Sequence, residues 1–139
     1  MSFTTQGASD VLSMALQGVD PAWRTATNAW LTLHESDPGE AGTAITGETT
    51  YVGYARVQIT KATFWTGSGN SRSNAVMAQW PRCTVGNGGA TKTITHFGVV
   101  TSASGAGTLI ARGALPEPIL VSNRSRPEAD IGDLTATLD

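Results

Sequence analysis

Cysteine is almost missing. Cys83 is the only one in 139 residues, which excludes an internal disulfide and a cysteine-based zinc site. An unpaired thiol beside Trp80, Pro81 and Arg82 reads as a small buried hydrophobe, because a nucleophilic thiol also needs a nearby base. Charge is scarce too: charged residues make up 14% of the chain, and nine Lys+Arg against eleven Asp+Glu leave a net charge of −2. With no basic run, the electrostatic footprint that grips a phosphate backbone is lacking, so nucleic acid is not an expected partner. No apolar run approaches the roughly 20 residues that cross a bilayer. The opening MSFTTQGASD has no cationic segment leading into an apolar core. The expectation is a soluble chain without a membrane partner, kept in a cytoplasm until it is assembled.

Chemistry-bearing patterns are equally thin. Of the two histidines, His96 lies in ITHFGVV with no Ser/His/Asp order or His/Cys/Cys spacing around it, and reads as a satisfied, partly buried residue rather than a general base. The glycines of TGSGNS and GNGGAT do not stand between a strand and a helix, as a phosphate-binding loop requires. No catalytic residue, cofactor site or metal site emerges, and no enzyme is expected. Heptads and internal repeats are missing as well.

What the chain does hold is 40% hydrophobic residues in 139, enough for one domain with a real core. In ASDVLSMALQG, Ser9 suits an N-cap, Asp10 the positive end of a helix and Gly18 a stop, which predicts a helix over 9–17. Val11, Leu12, Ala15 and Leu16 then form one apolar stripe. A helix this short is marginal in water, so it packs on its own domain or docks on a neighbouring subunit. The expected division is a helical arm over 1–20 and a β-sandwich domain over 21–139.

After Pro21 the period changes to two. Residues 28–34, 51–60, 75–80, 92–101, 108–115, 119–122 and 134–138 read as strands, about seven in all. Gly, Asn, Ser and Thr clusters at 67–74, 86–91 and 102–107 read as the loops between them. The expected fold is mainly β, an antiparallel β-sandwich or jelly-roll-like barrel with one N-terminal helix. The stretch HESDPGEAG, residues 34–42, gathers a histidine and three carboxylates, yet the spacing of Glu35, Asp37 and Glu40 matches no calcium loop, and Asp37-Pro38-Gly39 has the residue types of a turn. A turn between two strands is the reading.

The runs LTLHESDPGEAGTAITGETTYVGYARVQIT, ITHFGVVTSASGAGTLIARGAL and DLTATLD resemble small tailed-bacteriophage structural proteins often labelled tail fibre proteins. The shared elements are Leu31 to Leu33, Asp37 to Gly39, Gly53 to Arg56, Thr95 to Gly98 and Leu134 to Asp139. The resemblance implies a virion structural protein, assembled in the bacterial host cytoplasm. A fibre needs a stalk of coiled coil, collagen-like triplets or stacked repeats, and the sequence shows none. The leading expectation is therefore a capsid decoration, or cement, protein on the capsid surface: a homotrimer that binds the major capsid protein. The alternative is a tail or tail-fibre-associated component involved in host attachment. Since Trp and Arg are enriched at interface hot spots, the candidate interface residues are the helix stripe Val11, Leu12, Ala15 and Leu16, with Trp23, Trp30, Trp65, Arg56, Arg112, Arg124 and Arg126.

Overall fold

The structure, a computed structural model, describes residues 1–85 and 90–137. Most of the GNGGAT loop and the end of the expected last strand, Leu138, lie outside the described residues. In chain order the elements are β1 (Ser2–Phe3), α1 (Thr5–Leu12), a π-helical turn (Ser13–Gln17), α2 (Ala22–Thr25), β2 (Asn28–His34), β3 (Val57–Thr60), α3 (Lys61–Phe64), β4 (Trp65–Thr66), β5 (Ser71–Asn74), β6 (Ala78–Gln79), β7 (Lys92–Val100), β8 (Leu109–Val121), β9 (Glu128–Ala129) and β10 (Thr135–Thr137). A five-stranded sheet runs in the order β1-β8-β7-β2-β3, beside a three-stranded sheet β10-β5-β4 and a two-stranded sheet β6-β9. Every pairing is antiparallel.

The fold is mainly β with an N-terminal helix, as expected, but the strands are more numerous and shorter. The described residues hold ten rather than about seven. The expected strand at 51–60 keeps only β3, because the chain turns at Tyr51 to Tyr54, where the Tyr54 N–H meets the Tyr51 carbonyl at 2.9 Å. Part of the polar stretch at 67–74 becomes β5, paired to β4 and β10; its serines read as loop because the partners, not the residues themselves, make it a strand. The segments 108–115 and 119–122 fuse into β8. The register of β7 on β8 jumps from Ile94↔Ile119 to His96↔Ala114, so residues 115–118 bulge out of the ladder opposite Thr95. That bulge is where Pro116 and Pro118 can sit without leaving a ladder position short of a donor.

The register assigns each face of the main sheet. Leu31, Leu33, Phe97, Val99 and Ala111 stand on one side. They join Tyr51, Phe64, Trp80, Cys83 and Leu134 in a single buried cluster beneath the small sheets. Cys83 is thus a core residue, and its Sγ lies 3.3 Å from the Val85 carbonyl oxygen. On the other side stand Thr32 and His34, both fully buried, roofed by residues 35–56.

The N-terminus departs from expectation in one respect. Helix α1 starts four residues before Ser9, with Thr4 as its N-cap accepting from the Gly7 N–H at 3.1 Å. The Thr4 hydroxyl donates to the Leu109 carbonyl of β8. A methyl group at Gly7 would overlap the Ile110 carbonyl oxygen, so glycine is what lets α1 lie against β8. Gly18 closes the helical segment in the left-handed conformation at φ 66°, as expected of a glycine stop.

Candidate functional site

The stretch 34–42 makes a turn, but not a hairpin between two strands: it opens the long excursion over 35–56 that leads to β3. Asp37 Oδ1 accepts the Gly39 N–H at 2.9 Å, and the Gly42 N–H reaches the Gly39 carbonyl at 3.2 Å. Asp37 also takes Arg112 Nη1 on both oxygens, at 2.7 and 2.9 Å. The Gly39 N–H first, and Arg112 after it, hold the Asp37 carboxyl below the usual range. Among the described residues no three His, Cys, Asp or Glu side chains are grouped as metal ligands.

His34 spends both ring nitrogens inside the chain. Its Nδ1 lies 2.8 Å from the Thr46 carbonyl, and its Nε2 lies 2.8 Å from Thr32 Oγ1. A carbonyl only accepts, so Nδ1 carries the proton and Nε2 accepts the threonine hydroxyl. Burial pushes the ring below its ordinary pKa. His96 stands opposite His34 across the strands, its Nδ1 2.8 Å from Thr95 Oγ1.

Next to this pair, Arg56 is closed in. Its Nε and Nη2 donate to Glu48 Oε1 and Oε2 at 2.7 and 2.8 Å, while Nη1 and Nη2 reach the Ser102 and Gly105 carbonyls at 3.0 and 2.6 Å. Tyr54 donates to Glu48 at 2.8 Å and accepts the Leu33 N–H at 3.1 Å, and burial raises its phenol well above the ordinary pKa. With the Arg56 side chain 3% exposed, this interface candidate serves inside the chain as a structural clamp. Arg112, bound to Asp37 with its Nε buried, is likewise used inside the chain. Sequence reasoning missed the clamp because Glu48 and Tyr54 carry no motif and sit on the irregular stretch between β2 and β3.

The other candidates fall in two groups. Trp23 and Trp65 pack against the core. Trp23 also donates to Asp10 at 2.7 Å, and Trp65 meets Phe64 edge-on at 5.0 Å. Trp30 is half-buried on the opposite face from Leu31 and Leu33. Arg124 and Arg126 are exposed. On the helical segment, Val11 is half-buried and Ala15 exposed, and the outer side is bare: Leu12 is 58% exposed, Leu16 80% and Val19 58%. Val19, just beyond the Gly18 stop, was not among the candidates. An apolar groove of about 520 Å³ between the sheets, lined by Phe3, Trp65, Val99, Ile110 and Ala111 among others, was not foreseen either; its walls come from distant strands.

The chain is an antiparallel β domain tied together by internal ion pairs, with Leu12, Leu16 and Val19 exposed on and beside its helical segment. Residues 2–137 match the family described as podophage GP4 fiber I protein gp80. The chain belongs to that family and is a bacteriophage virion structural protein. A comparison with curated proteins gives no match.

Proposed function

We propose that the chain is a non-enzymatic subunit of the phage fibre apparatus, held in the particle by its N-terminal arm. The observation that carries this reading is the bare apolar side of the helical segment. Leu12 and Leu16 are four residues apart, hence on one side, and Val19 follows the glycine stop; three large apolar side chains that could face a sheet face outward instead. Burying them against another chain, at about 25 cal/mol per Å², would contribute several kcal/mol to association. β1 and Thr4 anchor the segment to β8, so what projects is a short, fixed hook. A homotrimer is the assembly we propose, a closed ring in which the exposed apolar side chains of each copy are covered by its neighbour.

The second reading is a capsid decoration protein that binds the major capsid protein and stabilises the shell. The compactness of the domain supports it: the longest strand, β8, has 13 residues, which spans about 43 Å at the usual strand rise and is no stalk. Cryo-electron microscopy of the intact particle separates the two. Density for the chain at a few copies on the tail supports the fibre reading; hundreds of copies on the head lattice would replace it with decoration.

A further inference from the structure

The charges of this chain are not paired at random. Arg24, Arg56, Lys92 and Arg112 each meet a carboxylate, and Lys61 and Arg72 donate to backbone carbonyls. Three cations are left over: Arg82, Arg124 and Arg126, all exposed and without an ion pair among the described residues. They belong to two loops that the backbone fastens together, the Cys83 N–H donating to the Ser125 carbonyl and the Arg124 N–H to the Cys83 carbonyl, both at 2.9 Å.

The loop that carries two of them is rigid. Ser125 N–H reaches the Ser122 carbonyl at 3.0 Å, and the Ser125 hydroxyl is 2.7 Å from both the Ser122 carbonyl and its N–H. Arg124 occupies the third position of this turn at φ 67°, where glycine or asparagine is the ordinary choice. Among the described residues it is the only non-glycine with a positive φ. The Arg124 backbone N–H goes to the Cys83 carbonyl, while its exposed side chain makes no ion pair among the described residues, which leaves the guanidinium open to contact with something else.

The carboxylates show the reverse. Glu117, Glu128 and Asp133 surround a hollow of about 410 Å³ whose other walls are Leu115, the two prolines of the bulge, Ile119 and Ala129. None of the three is matched by a cation among the described residues. Glu128 also accepts from Gln79 Nε2 at 2.9 Å and Asp133 from the Asp130 N–H at 3.0 Å; carboxylates set beside apolar side chains still suit an arginine, its methylene stem on the latter and its guanidinium on the oxygens.

We infer that the arginine loops of one copy dock on the acidic hollow of a second copy, with Arg124 and Arg126 supplying the guanidiniums. The partner follows from charge complementarity within one sequence: the three cations left over, and three of the six described carboxylates without an ion pair, lie on neighbouring stretches, so a second copy can bring the two sets together. This contact is separate from the N-terminal arm and goes beyond the reading above.

The test uses the full chain and charge reversal, read by sedimentation velocity at low and high salt. The wild type associates at low salt and dissociates as salt screens the contact. R124E/R126E and E117K/E128K each self-associate more weakly, on the order of tenfold or more, while their melting temperatures stay at the wild-type value. Mixed in equal amounts, the two variants associate again. R82E, which leaves the serine-clamped turn untouched, weakens association in the same direction and serves if the double arginine variant fails to fold. A wild type that is monomeric at low salt, unchanged association in R124E/R126E or R82E, or reversed variants that ignore each other when mixed would each overturn the inference. Loss of association in an arm variant alone, with the charge variants silent, would favour the arm and overturn this contact.

Discussion

Glu48 holds Arg56 by both edges of its guanidinium, and the same guanidinium reaches two carbonyls of the loop after β7. One side chain therefore fastens residues 35–56 to residues 101–107 over a face of the sheet that carries the buried polar pair Thr32 and His34.

Removing one partner of a buried pair leaves the other charge stranded. Arg56→Ala is expected to lower stability by about 3 kcal/mol, measured by urea denaturation. Arg56→Lys should recover little of it, because an ammonium cannot reach both carboxylate oxygens and two carbonyls in one plane. A loss below about 0.5 kcal/mol in Arg56→Ala would show that the clamp does not hold the loop.

His34 makes stability depend on pH. The folded chain keeps the ring below the ordinary value of 6.5 through burial, so the unfolded chain takes up the proton first. The stabilising contribution is complete above pH 6.5 and is lost as the pH falls through that value toward the folded pKa. Urea melts between about pH 7.5 and about pH 5 should show a decline that His34→Gln flattens. An equal decline in that variant would assign the effect to other groups.

Asp37 does two jobs, and two substitutions separate them. Asp37→Asn keeps an oxygen for the Gly39 N–H but loses the charge opposite Arg112, whereas Asp37→Ala loses both. The expected order is wild type, then Asn, then Ala, with Ala lower by about 1–2 kcal/mol. Equal stability of all three would reduce the acidic loop to a plain turn.

Gly7→Ala should undock the helical segment, because the added methyl meets the Ile110 carbonyl. A cost of about 1–3 kcal/mol is expected, with faster proteolysis in residues 1–20 than elsewhere in the chain. Unchanged cleavage there would mean that α1 tolerates displacement from β8.

Leu16→Glu tests the arm without disturbing β1. At 80% exposure the substitution should change stability by less than about 0.5 kcal/mol. Incorporation into particles should nevertheless fall, as measured by the amount of the chain in purified virions. Wild-type incorporation would remove Leu16 from the attachment surface.

The parts of this molecule legible in the sequence are those governed by short-range pattern. Residues 28–34 form β2 with the expected bounds. Gly18 stops the helical segment because a left-handed residue is a local requirement. The start of α1 was hidden because Gly7 argues against a helix on propensity, and its reason lies on β8, more than a hundred residues away. Arg56 and Arg112 read as surface arginines because their carboxylates, Glu48 and Asp37, lie on the irregular stretch between β2 and β3, whose path no periodicity predicts. The apolar stripe was visible as a period, but its outward orientation is a property of the packed domain.

The proline bulge of β8 has a consequence for how copies can meet. Among the described residues β1 covers only Ala111 and Arg112 on the outer side of β8, which leaves much of a 13-residue strand at the border of the sheet. Bare backbone of that length invites a foreign strand to zip on, the first step toward a cross-β deposit. Pro116 and Pro118 offer no N–H to such a visitor, and Glu117 between them places a carboxylate in its path. The two prolines and the carboxylate between them thus guard this edge of the sheet against an added strand.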